Sequence, residues 1–373
     1  ALAVTGVEPG EIEVGHVGNF AAELYAMQGH LGAFLVDVDP ALAGLPTGRH
    51  EAACASGSIA ILAATAELEA GRYDLALVVG VEQMKTVSAA VGGDYLGTAA
   101  WYELEAKGIE FPFPRLFGRL GDEYDRRYGL RDEHLAHIAA LNYRNARRNP
   151  RAQTRTWYMS EDHARGGGPY NATIGGRLKI SDCSQVTDGA VAVLLASPRY
   201  AASWAARRGR RLDDVARIQG WGHRTAPLTF AAKLAESVGA PYVLPHTRRA
   251  IEDALARARL DSCWALSAIE THDCFTTSEY MAIDHFGLTA PGESWKAIED
   301  GVIDFDGKLP INPSGGLIGA GHPVGATGVR QLLDASLQVT GAAGGYQVPG
   351  ARRFATLNIG GSGTTSCVFV VGR

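Results

Sequence analysis

The stretch His50-Glu51-Ala52-Ala53-Cys54-Ala55-Ser56-Gly57-Ser58 runs into an apolar segment that reaches Ala70, and Asp74-Leu75-Ala76-Leu77-Val78-Val79-Gly80 follows soon after Gly71. Residues 56–70 are apolar almost all round, the pattern of a helix buried on every side. Residues 74–80 form a short, continuously apolar run, the pattern of an interior strand. With residues 48–53 read as a short strand in front, the order strand–helix–strand predicts a βαβ unit and a parallel sheet. Cys54 then stands at a helix N-terminus, where unpaired N–H groups favour thiolate and small neighbours admit a bulky partner. Cys54 is the first candidate nucleophile; against this stands the plainer reading of a small core residue.

Outward from this unit, residues 188–195 read as another interior strand, and Ser197-Pro198 starts a helix that ends near Gly209. The same grammar returns further on: a helix at 248–258, a strand at 264–269, helices at 278–286 and 326–339, and terminal strands at 354–359 and 365–371. The expectation is an α/β chain of two similar βαβ-rich halves. Between about Gly92 and Gly176 the texture differs, with Phe111-Pro112-Phe113-Pro114-Arg115 and the joint Gly166-Gly167-Gly168-Pro169. Helices are expected there at about 119–128 and 132–148, without strand runs. This segment reads as an insertion over the sheet, serving either as cover for an active site or as a structural subdomain. The division is residues 1–91 with 177–199 as one half, 92–176 as the insertion and 200–373 as the other half. Residues 1–10 read as the end of a helix entering a turn, with chain expected upstream of Ala1.

The bulk numbers exclude several classes. A net charge of −5 lacks the basic excess of a general nucleic-acid binder, and no apolar run is long enough for a membrane span. Forty-six glycines among 373 residues, about 12% against a typical ~7%, imply many tight turns and close backbone approaches. The cysteines Cys54, Cys183, Cys263, Cys274 and Cys367 are odd in number, widely spaced and without a CxxC pair. They make a poor disulfide framework, so a reducing compartment, with the cytoplasm as default, is expected.

Four segments combine reactive side chains with glycines or small residues: Cys54 with its helix, Glu270-Thr271-His272-Asp273-Cys274-Phe275, Asn312-Pro313-Ser314-Gly315-Gly316 leading to Gly321-His322-Pro323-Val324-Gly325-Ala326-Thr327-Gly328, and Asn358-Ile359-Gly360-Gly361. Strand ends followed by Gly-rich loops are where α/β proteins place reacting groups. A cysteine nucleophile needs a proton acceptor, and His322 is the candidate. Cys183, Cys263 and Cys367 read as structural, and His272 could equally be a satisfied strand-end histidine. A metal at His272-Asp273-Cys274 has no second ligand pair with zinc-type spacing, so none is expected. No GxGxxG with a following acidic residue supports a dinucleotide.

The segments Glu-Ala-Ala-Cys54-Ala-Ser-Gly-Ser, His272-Asp-Cys274-Phe, Gly-His322-Pro-Val-Gly-Ala-Thr-Gly and Asn358-Ile-Gly-Gly, in this order, resemble the thiolase superfamily, specifically the sterol-carrier-protein type and its bacterial acetyl-CoA acetyltransferase-like relatives. The resemblance implies the five-layered αβαβα thiolase fold with an inserted loop domain, its usual first strand and helix falling before residue 1. It implies that Cys54 takes the acyl group as a thioester. His322 would activate Cys54 and then help bind the thioester oxygen, with His272 at the same oxyanion site. Cys274 would be the acid/base thiol, because Asn358 stands where many thiolases carry a cysteine. The N–H groups of Cys54 and Gly360 would form the second oxyanion hole.

The reaction so implied cleaves 3-ketoacyl-CoA with CoA to acyl-CoA and acetyl- or propionyl-CoA, or runs the reverse Claisen condensation, in lipid metabolism such as fatty acid β-oxidation. Coenzyme A and acyl-CoA enter as substrates; no permanently bound cofactor and no metal are expected. Alternatives are a thiolase-like retro-aldolase on sterol side-chain CoA esters, or a partner-dependent subunit working with a small OB-fold acyl-CoA-binding protein. Asn358, Ser314, Arg115, Arg119 and Arg177 are candidate substrate contacts, the arginines for the phosphates of CoA. A homodimer or dimer of dimers is expected, paired through strand 48–53.

Overall fold

The computed structural model describes residues 1–373. Ten strands occur in chain order: β1 (Val14–Gly18), β2 (Thr47–His50), β3 (Leu75–Glu82), β4 (Thr173–Gly175), β5 (Leu178–Lys179), β6 (Gly189–Ala196), β7 (Arg217–Thr225), β8 (Ala268–Glu270), β9 (Arg353–Gly360) and β10 (Thr365–Gly372). They form two four-stranded sheets, ordered β2-β1-β3-β6 and β7-β10-β9-β8, and a small β4-β5 ribbon. In the first sheet β1 runs parallel to both β2 and β3, whereas β6 is antiparallel to β3. The helix Ser56–Glu69 crosses from β2 to β3, making the expected βαβ unit with β1 inserted between its two strands.

Alternation along β3 shows how the layers stack. Ala76 and Val78 face a core shared with the helices Ser56–Glu69 and Thr327–Val339 and with Phe354, Phe369 and Val371 of the second sheet. Leu75 and Leu77 face the opposite core, with Tyr200 and Trp204 of the helix Pro198–Arg207 packed against it. On the far side of the second sheet, Ala355, Leu357, Val368 and Val370 meet Ala250, Ile251, Ala254 and Leu255 of the helix Pro245–Arg257. The sequence of layers is helix, sheet, helix pair, sheet, helix, the αβαβα order of the expectation. Of the central pair, Thr327–Val339 is largely buried, whereas Ser56–Glu69 buries Ala60, Ile61, Ala64 and Leu68 and leaves Ala66 and Glu69 exposed, so it is not buried on every side as its apolar run predicts.

Glycines let the two halves touch at the middle layer. A Cβ on Gly57 would lie 2.7 Å from the Gly325 carbonyl oxygen, and one on Gly80 would lie 2.7 Å from Ala326 Cα. The His322 loop therefore sits directly on the start of the helix that follows Cys54.

Several boundaries differ from the sequence expectation. The helix expected at 119–128 begins at Pro112, because the N–H that proline lacks is one the first helical turn leaves unpaired in any case. β2 ends at His50, and the chain turns through Ala53–Ala55 before the long helix. The inserted segment ends on β4, which pairs with β5 just beyond it, contrary to the reading of 92–176 without strands. β1 and β7 have no counterpart in the sequence expectation, and residues 20–36 hold only the short helix Ala22–Tyr25 and a 3-10 turn. No helix is long and apolar enough to cross a membrane.

Candidate active site

Cys54 lies in the turn just before the helix Ser56–Glu69. Its neighbour Ala53 holds φ +51°, a left-handed backbone that costs a non-glycine residue about 1–2 kcal/mol. Local hydrogen bonds hold this turn. Glu51 accepts from the Ala53 N–H at 2.6 Å, and Ser56 Oγ accepts from the Ala52 N–H at 2.9 Å while donating to the Ala53 carbonyl at 2.6 Å. Burial pushes the Cys54 thiol up to about 12, against the N–H groups of Gly361 and of Cys54 itself, which favour the thiolate. This corrects the expectation of a thiolate at rest: desolvation outweighs the helix terminus, and the proton must be removed during reaction. Beside the Cys54 N–H, the N–H close to the sulfur is that of Gly361, the residue after the expected donor Gly360.

His322 is placed by a loop that both halves anchor. Its N–H donates to the Gln185 carbonyl at 3.0 Å, and the Gly325 N–H three residues later donates to Glu82 at 2.9 Å. The buried Glu82 carboxylate also accepts from the Asn19 side chain and the N–H groups of Phe20 and Ala21. The Thr327 hydroxyl donates to the Pro323 carbonyl at 3.1 Å, so its oxygen, 2.7 Å from His322 Nδ1, accepts the ring proton. His322 thus carries hydrogen on Nδ1. Its Nε2, buried and without a partner, is a free acceptor. Burial, with the Arg330 guanidinium adding to it, holds this imidazole down to about 3.

His272 and Cys274 follow β8. One donor atom each of Cys54, His272 and His322 lie within 4.8 Å of one another, and the two rings meet edge-on at 5.2 Å. Burial, then His322 and Arg330, hold His272 well below the ordinary histidine value. Burial drives the Cys274 thiol well above its ordinary value, the neighbouring Cys54 sulfur adding to the effect. A thiol and two imidazoles are also donors that zinc accepts, the metal taking the place of the thiol proton.

Cys54, Cys274 and His322 open onto one cavity of about 430 Å³ with a mostly apolar wall, including Met84, Leu96, Phe111, Phe117 and Ile180. Phe117 stacks on Phe275 at 4.7 Å, so the inserted segment packs directly against the loop that bears Cys274. Cys183, read from sequence as structural, borders the same cavity.

The candidate substrate contacts fare differently. Ser314 does not reach the cavity: its N–H and hydroxyl donate to buried Glu270 at 3.0 and 2.6 Å, and its oxygen accepts from Arg330. Arg177 is committed to Asp125 at 3.0 Å, with Asp122 and Asp132 close by. Arg115 and Arg119 are exposed and lie off the cavity wall, the latter over the Phe230 ring at 4.9 Å. Asn358 is buried behind His272 and outside the wall. The one lysine or arginine on the wall is Lys85, exposed at the rim, a residue absent from the sequence candidates. Sequence reading also missed Glu82 and Arg330. An acidic residue closing an apolar strand, as Glu82 closes β3, was the available signal for the first.

Residues 1–156 match the family described as Thiolase, N-terminal domain, and residues 238–373 match Thiolase C-terminal domain-like. An acetyl-CoA acetyltransferase of Methanothermobacter thermautotrophicus is 32% identical over 385 residues, covering 100% of this chain and 92% of that protein. The chain belongs to the thiolase family. Sterol carrier protein 2 of Bos taurus is 29% identical, over 86% of this chain and 58% of its own length. Among solved structures, an Ltp2-ChsH2(DUF35) aldolase matches with a TM-score of 0.79 at 18% identity, covering 100% of this chain and 90% of that one; this likeness speaks to the thiolase fold alone.

Proposed function

We propose that this thiolase-family protein is a CoA-dependent acyltransferase that cleaves a 3-ketoacyl-CoA, or forms one in reverse, through an acyl thioester on Cys54. The observation that carries the reading is the unpartnered His322 Nε2, a neutral base in one cluster with a nucleophilic thiol that needs its proton removed. In the degradative direction His322 Nε2 takes the Cys54 proton and the sulfur adds to the 3-keto carbon. The C2–C3 bond breaks, leaving the acyl group on sulfur and an acetyl-CoA enolate whose oxygen faces His322 and His272. The Cys274 thiol, kept protonated by burial, gives its proton to the enolate carbon. It then recovers one from the thiol of incoming CoA. The CoA sulfur adds to the thioester on Cys54, Cys54 leaves, and His322 returns the first proton. The Gly361 N–H beside the sulfur supports the oxyanion of the acyl-enzyme steps.

The apolar wall suits an acyl group longer than acetyl, and Lys85 at the rim is the cation best placed for a CoA phosphate. β2 is an edge strand beside the nucleophile turn, and pairing of two copies through it would give a homodimer. The deciding experiment incubates wild type and Cys54→Ala with acetoacetyl-CoA and CoA, and weighs the intact wild-type protein after acetyl-CoA alone. The wild type turns over and gains one acetyl mass on the peptide containing Cys54. Retained thiolysis in Cys54→Ala would end the covalent mechanism.

A further inference from the structure

Asn358 occupies β9 where it can reach neither the cavity nor solvent, yet it touches a ring that the reaction needs. Its Nδ2 lies 3.1 Å from His272 Nδ1, and its Oδ1 accepts from the Ser58 hydroxyl at 2.8 Å. All three side chains are buried. The amide's orientation follows from accounting for donors. Ser58 has no other side-chain partner, so turning the amide over would leave its hydroxyl proton in the interior without an acceptor. With Oδ1 spent on Ser58, Nδ2–H is the group that faces His272, and Nδ1 must accept.

The surroundings are built to hold this chain in register. Gln331, in the central helix Thr327–Val339, donates from one amide nitrogen to the Thr271 carbonyl at 3.1 Å and the Leu357 carbonyl at 3.0 Å. These carbonyls precede His272 and Asn358, so one side chain clamps both backbones. Gly328 leaves the space: a Cβ there would lie 2.3 Å from Ser58 Oγ and 2.5 Å from Asn358 Oδ1. The last glycine of the His322 loop motif is thus required by the Ser58–Asn358 pair. Ser58 belongs to the helix that follows Cys54, so the nucleophile's helix bears on the second histidine.

We propose that Asn358 is a positioning residue which fixes His272 in the tautomer with its proton on Nε2. Resting on the acyl-transfer reading above, this makes His272 a hydrogen-bond donor to the enolate oxygen while His322, with its proton on Nδ1, is the base. Two imidazoles in contact are given opposite duties by the groups behind them, Thr327 for one and Asn358 for the other. An asparagine at this point does something a thiol could not, since it presents a neutral donor to Nδ1 at every accessible pH.

The test reads the tautomer and the chemistry separately. Long-range proton–nitrogen NMR correlations of protein labelled with ¹⁵N-histidine report which ring nitrogen is protonated, and His272→Asn assigns the signal. The wild type shows hydrogen on Nε2 of His272. In Asn358→Asp the carboxylate accepts from the ring, and the hydrogen moves to Nδ1. The thiolysis kcat of that variant falls by about 10²-fold or more with KM nearly constant, the loss expected of a missing oxyanion donor. Asn358→Ser, which lacks the amide donor, serves as the second variant should the aspartate fail to fold. Hydrogen on Nδ1 in the wild type overturns the proposal without any variant. So does an Asn358→Asp protein whose His272 signal and kcat both match the wild type. A wild type without thiolase activity whose His272 still carries hydrogen on Nε2, and loses it in Asn358→Asp, supports the positioning role and overturns the acyl-transfer reading.

Discussion

Thr327→Val probes the base without touching a reacting atom. The substitution keeps the shape of the side chain and removes the oxygen that accepts the His322 Nδ1 proton at 2.7 Å. The ring then has two neutral forms. With hydrogen on Nδ1 a buried donor faces a methyl group, and with hydrogen on Nε2 the donor sits on a nitrogen that has no partner either, so the preference of about 1–3 kcal/mol that Thr327 gave to the first form is lost. The second form cannot take the Cys54 proton. With the population shared between the two forms, and with the imidazolium made by proton transfer short of an acceptor worth about 1–1.5 kcal/mol more to a charged donor than to a neutral one, acylation slows by about 10-fold or more. Because burial sets the Cys54 thiol at about 12, no resting thiolate makes up the difference. The assay is single-turnover acylation of Cys54 by acetoacetyl-CoA, followed by quench and mass measurement, beside steady-state thiolysis. Acylation slows by that factor and KM changes little. Thr327→Ser, which restores the hydroxyl, recovers most of the rate. A Thr327→Val enzyme acylating within twofold of the wild type would refute the assignment of His322 Nε2 as the base.

Two further outcomes follow from buried groups near the site. Glu82→Ala strands four donors, from Asn19, Phe20, Ala21 and Gly325, and urea unfolding should show a loss of about 3 kcal/mol or more; a change under 1 kcal/mol would show that water replaces the carboxylate. Acid should destabilise the protein through His322. Its folded value of about 3 lies below the ordinary 6.5, so between those limits the unfolded chain binds a proton that the native chain does not. Stability from this group is complete above 6.5 and falls by about 1.4 kcal/mol per pH unit below it. His322→Asn should therefore show a shallower dependence of unfolding free energy on pH over that window, and an equal slope in both proteins would contradict the depressed value.

Much of the site was legible because its residues advertise chemistry. Cys54, His272, Cys274 and His322 are reactive types in small-residue or glycine-rich segments, and folding brings Cys54 and the two histidines to one cluster and Cys54, Cys274 and His322 to one cavity. What stayed hidden works through partners that are distant in sequence. Ser314 looks like a ligand in a Gly-rich loop, but its use is set by Glu270 and Arg330, 44 and 16 residues away. Arg177 looks like a phosphate binder until the carboxylates of Asp122, Asp125 and Asp132 surround it. β1 escaped notice since Val-Gly-His-Val-Gly has weak strand propensity; it is a strand because β2 and β3 flank it on both sides. β7 is an edge strand with exposed arginines and so lacks the apolar run that marks an interior one.

The placement of the site also follows from the fold. The nucleophile comes from the first half, and His272, Cys274 and His322 come from the second. Neither half alone holds a base next to an acylatable thiol. The halves meet through the central pair of helices, where Gly57 and Gly80 admit the Gly325–Ala326 backbone at distances no side chain would allow. That contact buries the cluster, and burial raises both thiols while depressing both imidazoles. Each group is thereby kept neutral at rest. A pre-formed thiolate–imidazolium pair would be reactive toward any electrophile that entered; neutral partners exchange a proton only when a bound carbonyl supplies a place for the developing charge. The close approach of the halves, the shifted titration of four side chains and the dependence of Cys54 on His322 are one arrangement. Loosening the glycine contact, by Gly57→Ala for example, should lower the acylation rate even where the chain still folds.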